Sequence, residues 1–362
     1  MTEPENESPR PPRWPHLPAF IGIAAVVGSL AAAFAWTAGW LTPQRITAPR
    51  LVDTIENGKP FAGFRRAHAR GVCVAGYFEP TPEGAALSRA RVFTQARTPV
   101  LGRMSIGGGD PLGAEAQARV RSLALQLDTD DGQQWRLAMN SFPFFAVATP
   151  QAFAEQILAS RPDPATGKPD PAKLQAFLER NPEARNFMAW AGSAPWSSSF
   201  ANTAYHGVHA FRFTNEAGED RYVRWTFVPQ ADFEALPPEQ RQAAEASYLT
   251  DELAGRLAAG PVRWTMEVMV AEAGDPIENP SQPWPEDRQR VAAGTLVLER
   301  TYDQATGDCR DVNFDPTILP FGIAVSGDPV LAARAAAYSV SFNRRQREIA
   351  SGEATMATGG TQ

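Results

Sequence analysis

The sequence predicts an α+β domain of antiparallel strands with packed helices, preceded by one membrane-spanning helix. Three observations lead there. Short alternating runs such as Arg121–Leu127 and Trp135–Met139 are joined by tight polar turns, the pattern of antiparallel strands with one buried face. Stretches with helical spacing of apolar residues, at Ala152–Ser160, Pro171–Arg180 and Pro238–Gly260, stand between and after them. Near the N-terminus, Ala19 to Leu41 runs without a charge, long enough to cross a bilayer as a helix.

Taken in order, residues 1–18 are rich in Pro, Glu and Arg and read as a disordered tail. The apolar run at 19–41 carries Trp36 and Trp40 towards its far end, where an aromatic belt would lie. A cleaved signal peptide is the alternative, with Ala33-Phe34-Ala35 as its cleavage site, but the run is long for that and continues past the site. Arg10 and Arg13 precede it and Arg45 and Arg50 follow, so flanking charge hardly biases the orientation. The short leading tail favours an inner-membrane, single-pass anchor with the large domain in the periplasm. Residues 42–50 form a linker with Pro43 and Pro49, and 51–350 form the main domain. That domain begins with an amphipathic helix at Leu51–Phe64, ended by Gly58 and Pro60. Strands are expected at Val72–Phe78, from Leu101, at Arg121–Leu127 and at Trp135–Met139. Trp190–Tyr205 reads as irregular. A hairpin follows at His206–Thr214 and Arg221–Pro229, then strands at Val262–Ala271 and Gly294–Arg300. Residues 351–362 read as a second disordered tail.

Composition narrows the function. A net charge of −6 leaves no basic excess to neutralise phosphates, which argues against a nucleic-acid partner. Cys73 and Cys309 are the two cysteines, without a C-x-x-C, and only four histidines occur, so a zinc site is unsupported. Spacing alone leaves the pairing of the two thiols open. The glycine triplet Gly107–Gly109 is not followed by G-K-[ST], which removes a P-loop.

Four motifs carry chemistry. Arg65-Arg66-Ala67-His68-Ala69-Arg70-Gly71 leads into a β-branched run; Arg103 and Ser105 form an R-x-S on a strand; Asn140 stands four residues before the Phe144-Phe145 pair. The last is Asn313-Phe314-Asp315-Pro316-Thr317-Ile318-Leu319-Pro320-Phe321-Gly322-Ile323, followed by a helical run with Arg334, Tyr338 and Arg345 on one face. A cation beside a phenol favours the phenolate, a hard ligand suited to ferric iron. Singly, each motif has a bland reading: a structural histidine, a strand ending in a turn, a turn asparagine, an interfacial tyrosine.

Together and in this order, the motifs resemble those of the haem catalase family, and specifically its short, catalase-related peroxidase branch. The resemblance covers roughly residues 46–346, and the lack of a long helical segment after Arg345 points to the short branch. It implies an antiparallel barrel of about eight strands with flanking helices. It also implies haem b, with Tyr338 as the iron ligand and Arg334 keeping it deprotonated. Arg65, Arg103 and Arg345 would pair with the haem propionates, and Phe145 would pack on the distal face. His68 would be the acid–base residue, with an ordinary imidazole pKa near 6.5. Ser105 would orient it and Asn140 would donate to the peroxide. His209, in Gly207-Val208-His209-Ala210-Phe211, reads as structural. The family's dinucleotide-binding residues are not recognisable in Trp196–Asn202, so NADPH is unsupported.

The expected activity is reduction of organic and hydrogen peroxides with an unknown small-molecule reductant, by a membrane-anchored enzyme that could pair as a homodimer. Ala67 replaces a bulkier residue common before the distal histidine, which suggests a wider access path. The alternatives are a minimal catalase, a fatty-acid hydroperoxide isomerase, and a haem carrier without catalysis.

Overall fold

The structure, a computed structural model, describes residues 17–38, 40–42, 46–58 and 61–354. Its helices are α1 (Leu17–Thr37), α2 (Ala48–Glu56), α3 (Pro82–Leu87), α4 (Arg91–Thr94), α5 (Pro150–Ala159), α6 (Pro171–Arg180), α7 (Ala184–Ser193), α8 (Pro238–Ala243), α9 (Tyr248–Ala259) and α10 (Pro329–Ala350). The strands are β1 (Gly71–Pro80), β2 (Thr98–Ile106), β3 (Arg121–Asp128), β4 (Gln134–Asn140), β5 (Tyr205–Thr214), β6 (Asp220–Pro229), β7 (Val262–Val270), β8 (Arg290–Tyr302) and β9 (Ile323–Val325). The expected tails fall almost wholly outside the described residues; Leu17 and Pro18 open α1, and the chain is followed to Ala354.

Two compact units result, 1–47 and 48–362. The first contains α1, whose Pro18–Thr37 stretch has a mean hydropathy of 2.0 and exposes Phe20, Ile21, Ile23, Val26 and Val27. This helix is long and apolar enough to cross a membrane, and a signal sequence would meet the same description.

In the second unit the strands lie in the order β4-β3-β2-β1-β8-β7-β6-β5, all antiparallel. β4 returns to β5 at the pair Asn140–His206, which closes an eight-stranded barrel; β9 adds to β5 at Phe211–Phe213. Alternation assigns the two faces. Leu123, Leu125 and Leu127 of β3, Trp135 and Leu137 of β4, and Phe213, Trp225, Phe227, Trp264 and Met266 fill the interior. Burying each such side chain stabilises the fold by about 1.5–3 kcal/mol. The alternate residues face outward, and on β2–β4 they come into rows by register: Ser105–Ser122–Asn140, and one step along, Arg103–Ala124–Ala138.

Helices start where a capping residue precedes a proline. Thr81-Pro82, Thr149-Pro150, Asp170-Pro171 and Asp328-Pro329 open α3, α5, α6 and α10, and each cap accepts from a backbone N–H in the first turn. Two expectations are corrected. The single helix expected over Pro238–Gly260 breaks between Ala243 and Tyr248, because buried Glu115 caps the second half by accepting from Thr250 N and Thr250 Oγ1, each at 2.8 Å. The irregular stretch expected from Trp190 instead continues α7 to Ser193.

Cys73 of β1 and Cys309 form a disulfide, both fully buried. It staples the 303–312 loop to the barrel wall.

Candidate active site

The outer face of β2–β4 and the helices α2, α5 and α10 enclose a cavity of about 750 Å3. His68, Ser105, Ser122, Asn140 and Phe145 line it from the barrel side, and Arg334, Tyr338 and Arg345 from α10. Every residue singled out in the sequence therefore reaches one cavity. Ala124, Ala138, Ala333 and Ala337 keep its walls thin.

His68 precedes β1 with φ +57°, a left-handed conformation uncommon outside glycine. Neighbours hold it there. Ala69 N donates to Gly108 O at 3.0 Å, and Arg66 pairs with Glu56 of α2 (2.6 Å) and donates through Nη1 to Glu348 of α10 (2.9 Å). The glycine triplet has its role here: a Cβ at Gly109 would stand 2.8 Å from Arg66 O. Burial, with the charges of Arg103 and Arg334 adding, lowers the His68 pKa from the ordinary 6.5 to about 4. The ring is accordingly neutral across the physiological range, unlike the freely titrating imidazole expected from sequence.

The hydroxyl that orients His68 belongs to Ser122, not to Ser105. Ser122 Oγ lies 3.1 Å from His68 Nδ1 and donates its own proton to Asn140 Oδ1 at 2.5 Å. With that proton committed, Ser122 Oγ accepts from Nδ1–H, which leaves the lone pair on Nε2 and leaves the Asn140 amide N–H groups free to donate. Ser105 is the cross-strand neighbour of Ser122, buried in the same row. One strand of register separates the residue proposed from the residue found. Only the register of β3 between β2 and β4 puts Ser122 on the same face as Ser105 and Asn140.

On the opposite wall, Arg334 Nη2 donates to Tyr338 Oη at 3.1 Å and to Ala138 O at 3.2 Å, tying the phenol oxygen to β4. α10 is itself anchored by Asp328, which caps it with Oδ1 and accepts from His209 Nδ1 with Oδ2 at 2.6 Å. Burial lowers the His209 pKa to about 4, so this contact is a hydrogen bond from a neutral ring.

One end of the cavity is strongly cationic. Arg65 donates to Cys309 O (3.0 Å) and Val312 O (2.8 Å), and Arg103 to Gln304 Oε1 (3.1 Å) and Ala69 O (3.0 Å). Arg345 is 3% exposed, and its Nε and Nη2 have no hydrogen-bond partner among the described residues. Burial and mutual repulsion push the Arg65 pKa well down and that of Arg103 to about 9; burial lowers that of Arg345, with Asp311 offsetting part. Three clustered guanidiniums, of which Arg345 has two orphaned buried N–H groups, constitute a site for an anion. Gly71 permits the crowding, because a Cβ there would lie 2.8 Å from Arg103 Cζ.

The catalase family model matches residues 63–348. The chain belongs to the catalase family. It is 38% identical over 330 residues to a catalase-related peroxidase of Synechococcus elongatus, covering 91% of this chain and 96% of that protein. It is 33% identical over 313 residues to one of Mycolicibacterium paratuberculosis, covering 85% of this chain and 96% of that one. A fungal catalase crystal structure superposes with a TM-score of 0.71 at 23% identity, over 80% of this chain and 60% of that one. The chain thus spans about 60% of the full-length catalase and nearly all of the catalase-related peroxidases. Membership makes the protein an oxidoreductase acting on peroxide and implies a haem. The residues present fit one: a largely apolar cavity, a tyrosine oxygen on one wall, and the orphaned buried N–H groups of Arg345 beside Arg65 and Arg103, which suit a carboxylate.

Proposed function

We propose that the protein is a haem b peroxidase that reduces organic peroxides and hydrogen peroxide with an external small-molecule electron donor. The observation that carries this reading is one cavity with a neutral, tautomer-locked His68 beside Asn140 on one wall and Tyr338 bound by Arg334 on the other. Tyr338 is the residue to ligate the iron, and Arg65, Arg103 and Arg345 the residues to hold the propionates. The haem, when bound, supplies the centre that takes up the oxidising equivalents of the peroxide.

The chain's own residues handle the protons. His68 Nε2 takes the proton of the near peroxide oxygen, because its Nδ1–H is held by Ser122. Asn140 donates from its amide and polarises the peroxide. A ring whose pKa lies near 4 is a strong acid once protonated, so it returns the proton readily to the departing oxygen, which leaves as water or an alcohol. Arg334 holds a positive charge against the Tyr338 oxygen throughout.

Leu51, Val52 and Ile55 of α2 and Phe153 and Ile157 of α5 offer an apolar wall to the organic part of a peroxide, and Ala67 leaves room beside His68. A minimal catalase that dismutes hydrogen peroxide is the second reading, since both need the same groups. The length shared with catalase-related peroxidases favours the first. We place the catalytic domain in the periplasm, tethered to the inner membrane by α1; the Cys73–Cys309 disulfide supports an oxidising compartment.

Two measurements test this. Absorption spectra of purified wild type and Tyr338→Phe should show haem in the first and an altered or lost haem band in the second; a haem-free wild type ends the reading. Initial rates with alkyl hydroperoxide plus a dye donor should exceed those with hydrogen peroxide alone. Fast oxygen release with negligible dye oxidation would favour the catalase.

A further inference from the structure

A second group of aromatic and cationic side chains lies just beyond the cavity wall, and the proton chemistry at His68 makes no use of it. Phe142 and Phe187 line the cavity. Each also meets Trp190 of α7, with ring centroids 6.1 and 5.6 Å apart. Trp190 is half-exposed and so stands one ring away from the cavity while reaching the surface. The guanidinium of Arg119 lies 4.5 Å from the Trp190 ring and 4.9 Å from that of half-exposed Trp196. Arg241 lies 3.9 Å from the same Trp196 ring.

These cations are not neutralised. Arg119 donates through Nη2 to the carbonyls of Trp190 (3.1 Å) and Ala194 (2.7 Å), not to a carboxylate. Its pKa is lowered by burial and by Arg241, so the charge it feels beside it is a like charge. Neither arginine forms an ion pair with a described residue. Two indole faces flanked by two unpaired guanidiniums are complementary to a flat ring that carries a negative group. The ring stacks on indole or guanidinium, and its acid group meets the cations.

We propose that Trp190 is the residue through which electrons enter this peroxidase, and that Trp190, Trp196, Arg119 and Arg241 form a surface site for an anionic, electron-rich aromatic reductant. The inference rests on the peroxidase reading above. It removes a steric difficulty, because a reductant bulkier than a peroxide need not enter the cavity at all. Indole is far more readily oxidised than a phenyl ring, so Trp190 holds the oxidised state while Phe142 and Phe187 only bridge the gap. Trp190 gives one electron toward the cavity and releases its indole proton to water; a donor molecule then returns one electron and one proton. Peroxide has by then oxidised the site by two equivalents, and two such cycles return the two electrons and two protons, so that ROOH and two donor molecules give ROH and water. Two donor molecules leave as one-electron-oxidised radicals.

The test uses the haem-loaded full chain, a sulfonated aromatic dye and a neutral phenol. Trp190→Phe should oxidise the dye about tenfold or more slowly while its haem absorption still responds to peroxide at the wild-type rate. With peroxide and a nitroso spin trap but no donor, peptide mass spectrometry should find the trap on Trp190 in wild type and lose it in the variant. Without peroxide, equilibrium dialysis should show Arg119→Gln/Arg241→Gln binding the dye about five- to tenfold more weakly, with no change for the neutral phenol. Unchanged dye oxidation in Trp190→Phe, or a trap adduct confined to another residue, overturns this inference alone. A wild type whose haem spectrum ignores peroxide overturns the peroxidase reading together with it.

Discussion

Ser122 accepts a hydrogen bond from His68 Nδ1 at 3.1 Å, and the two residues come from elements 54 positions apart in the chain. Because the Ser122 proton goes to Asn140, one hydroxyl sets both the tautomer of the histidine and the direction of the amide. Replacing Ser122 by Ala removes this contact at the cavity wall and leaves the His68 ring only its hydrogen bond to the Ile106 backbone. Its rate of reaction with peroxide should fall about ten- to a hundredfold, with haem content retained. Ser105→Ala should change the rate little. Rapid-mixing absorption measurements compare the two, and equal losses would return the orienting role to Ser105.

Arg345 has two buried N–H groups without partners. Arg345→Leu should therefore make the haem-free protein more stable, by on the order of 1–3 kcal/mol, because a buried charge that Asp311 offsets only in part is removed. The same change should speed haem loss. Urea denaturation of the haem-free form and haem transfer to an acceptor protein measure the two effects, which should run in opposite directions.

His68, His206 and His209 each have a pKa lowered to about 4, in every case chiefly by burial. The unfolded chain holds these protons up to about 6.5, so between about 4 and 6.5 unfolding takes protons up. Stability should fall as pH drops through that window, each histidine adding a slope of up to about 1.4 kcal/mol per pH unit. Above about pH 7 these three contribute no slope. Denaturation midpoints across pH 4–8 check the sign, and a stability that rises on acidification would refute it.

The disulfide holds the loop whose carbonyls at Cys309 and Val312 receive Arg65, and whose Gln304 receives Arg103. Cys73→Ser/Cys309→Ser should lower stability by about 2–5 kcal/mol and weaken haem retention as the cationic end loosens. Reductant added to wild type should reproduce both effects in part.

Much of this was legible from residues alone. Strands β3 and β4 announced themselves by alternation, and α10 by Asp328-Pro329 and its long helical run. The convergence of His68, Asn140 and Tyr338 was implied by the family resemblance that the four motifs carry, and one cavity holds all three. What stayed hidden depends on register and on partners distant in sequence. Ser122 joins the site because β3 lies between β2 and β4 at a particular offset, and a single strand carries no record of its offset. The break between α8 and α9 is made by Glu115, more than a hundred residues away, where local helix propensity has no say. The pairing of Cys73 with Cys309 needed the fold to bring them together. Barrel closure rests on the single pair Asn140–His206, too little pattern for any run of residues to display.

The position of α10 at the end of the fold has a consequence for assembly. The cavity draws His68 and three of its arginines from the first third of the chain, while Tyr338, Arg334 and Arg345 all belong to α10. The bond to Cys73 also waits for Cys309. A growing chain therefore has half a pocket and no tyrosine wall until α10 has been made. On the haem reading above, cofactor capture waits for α10 to dock.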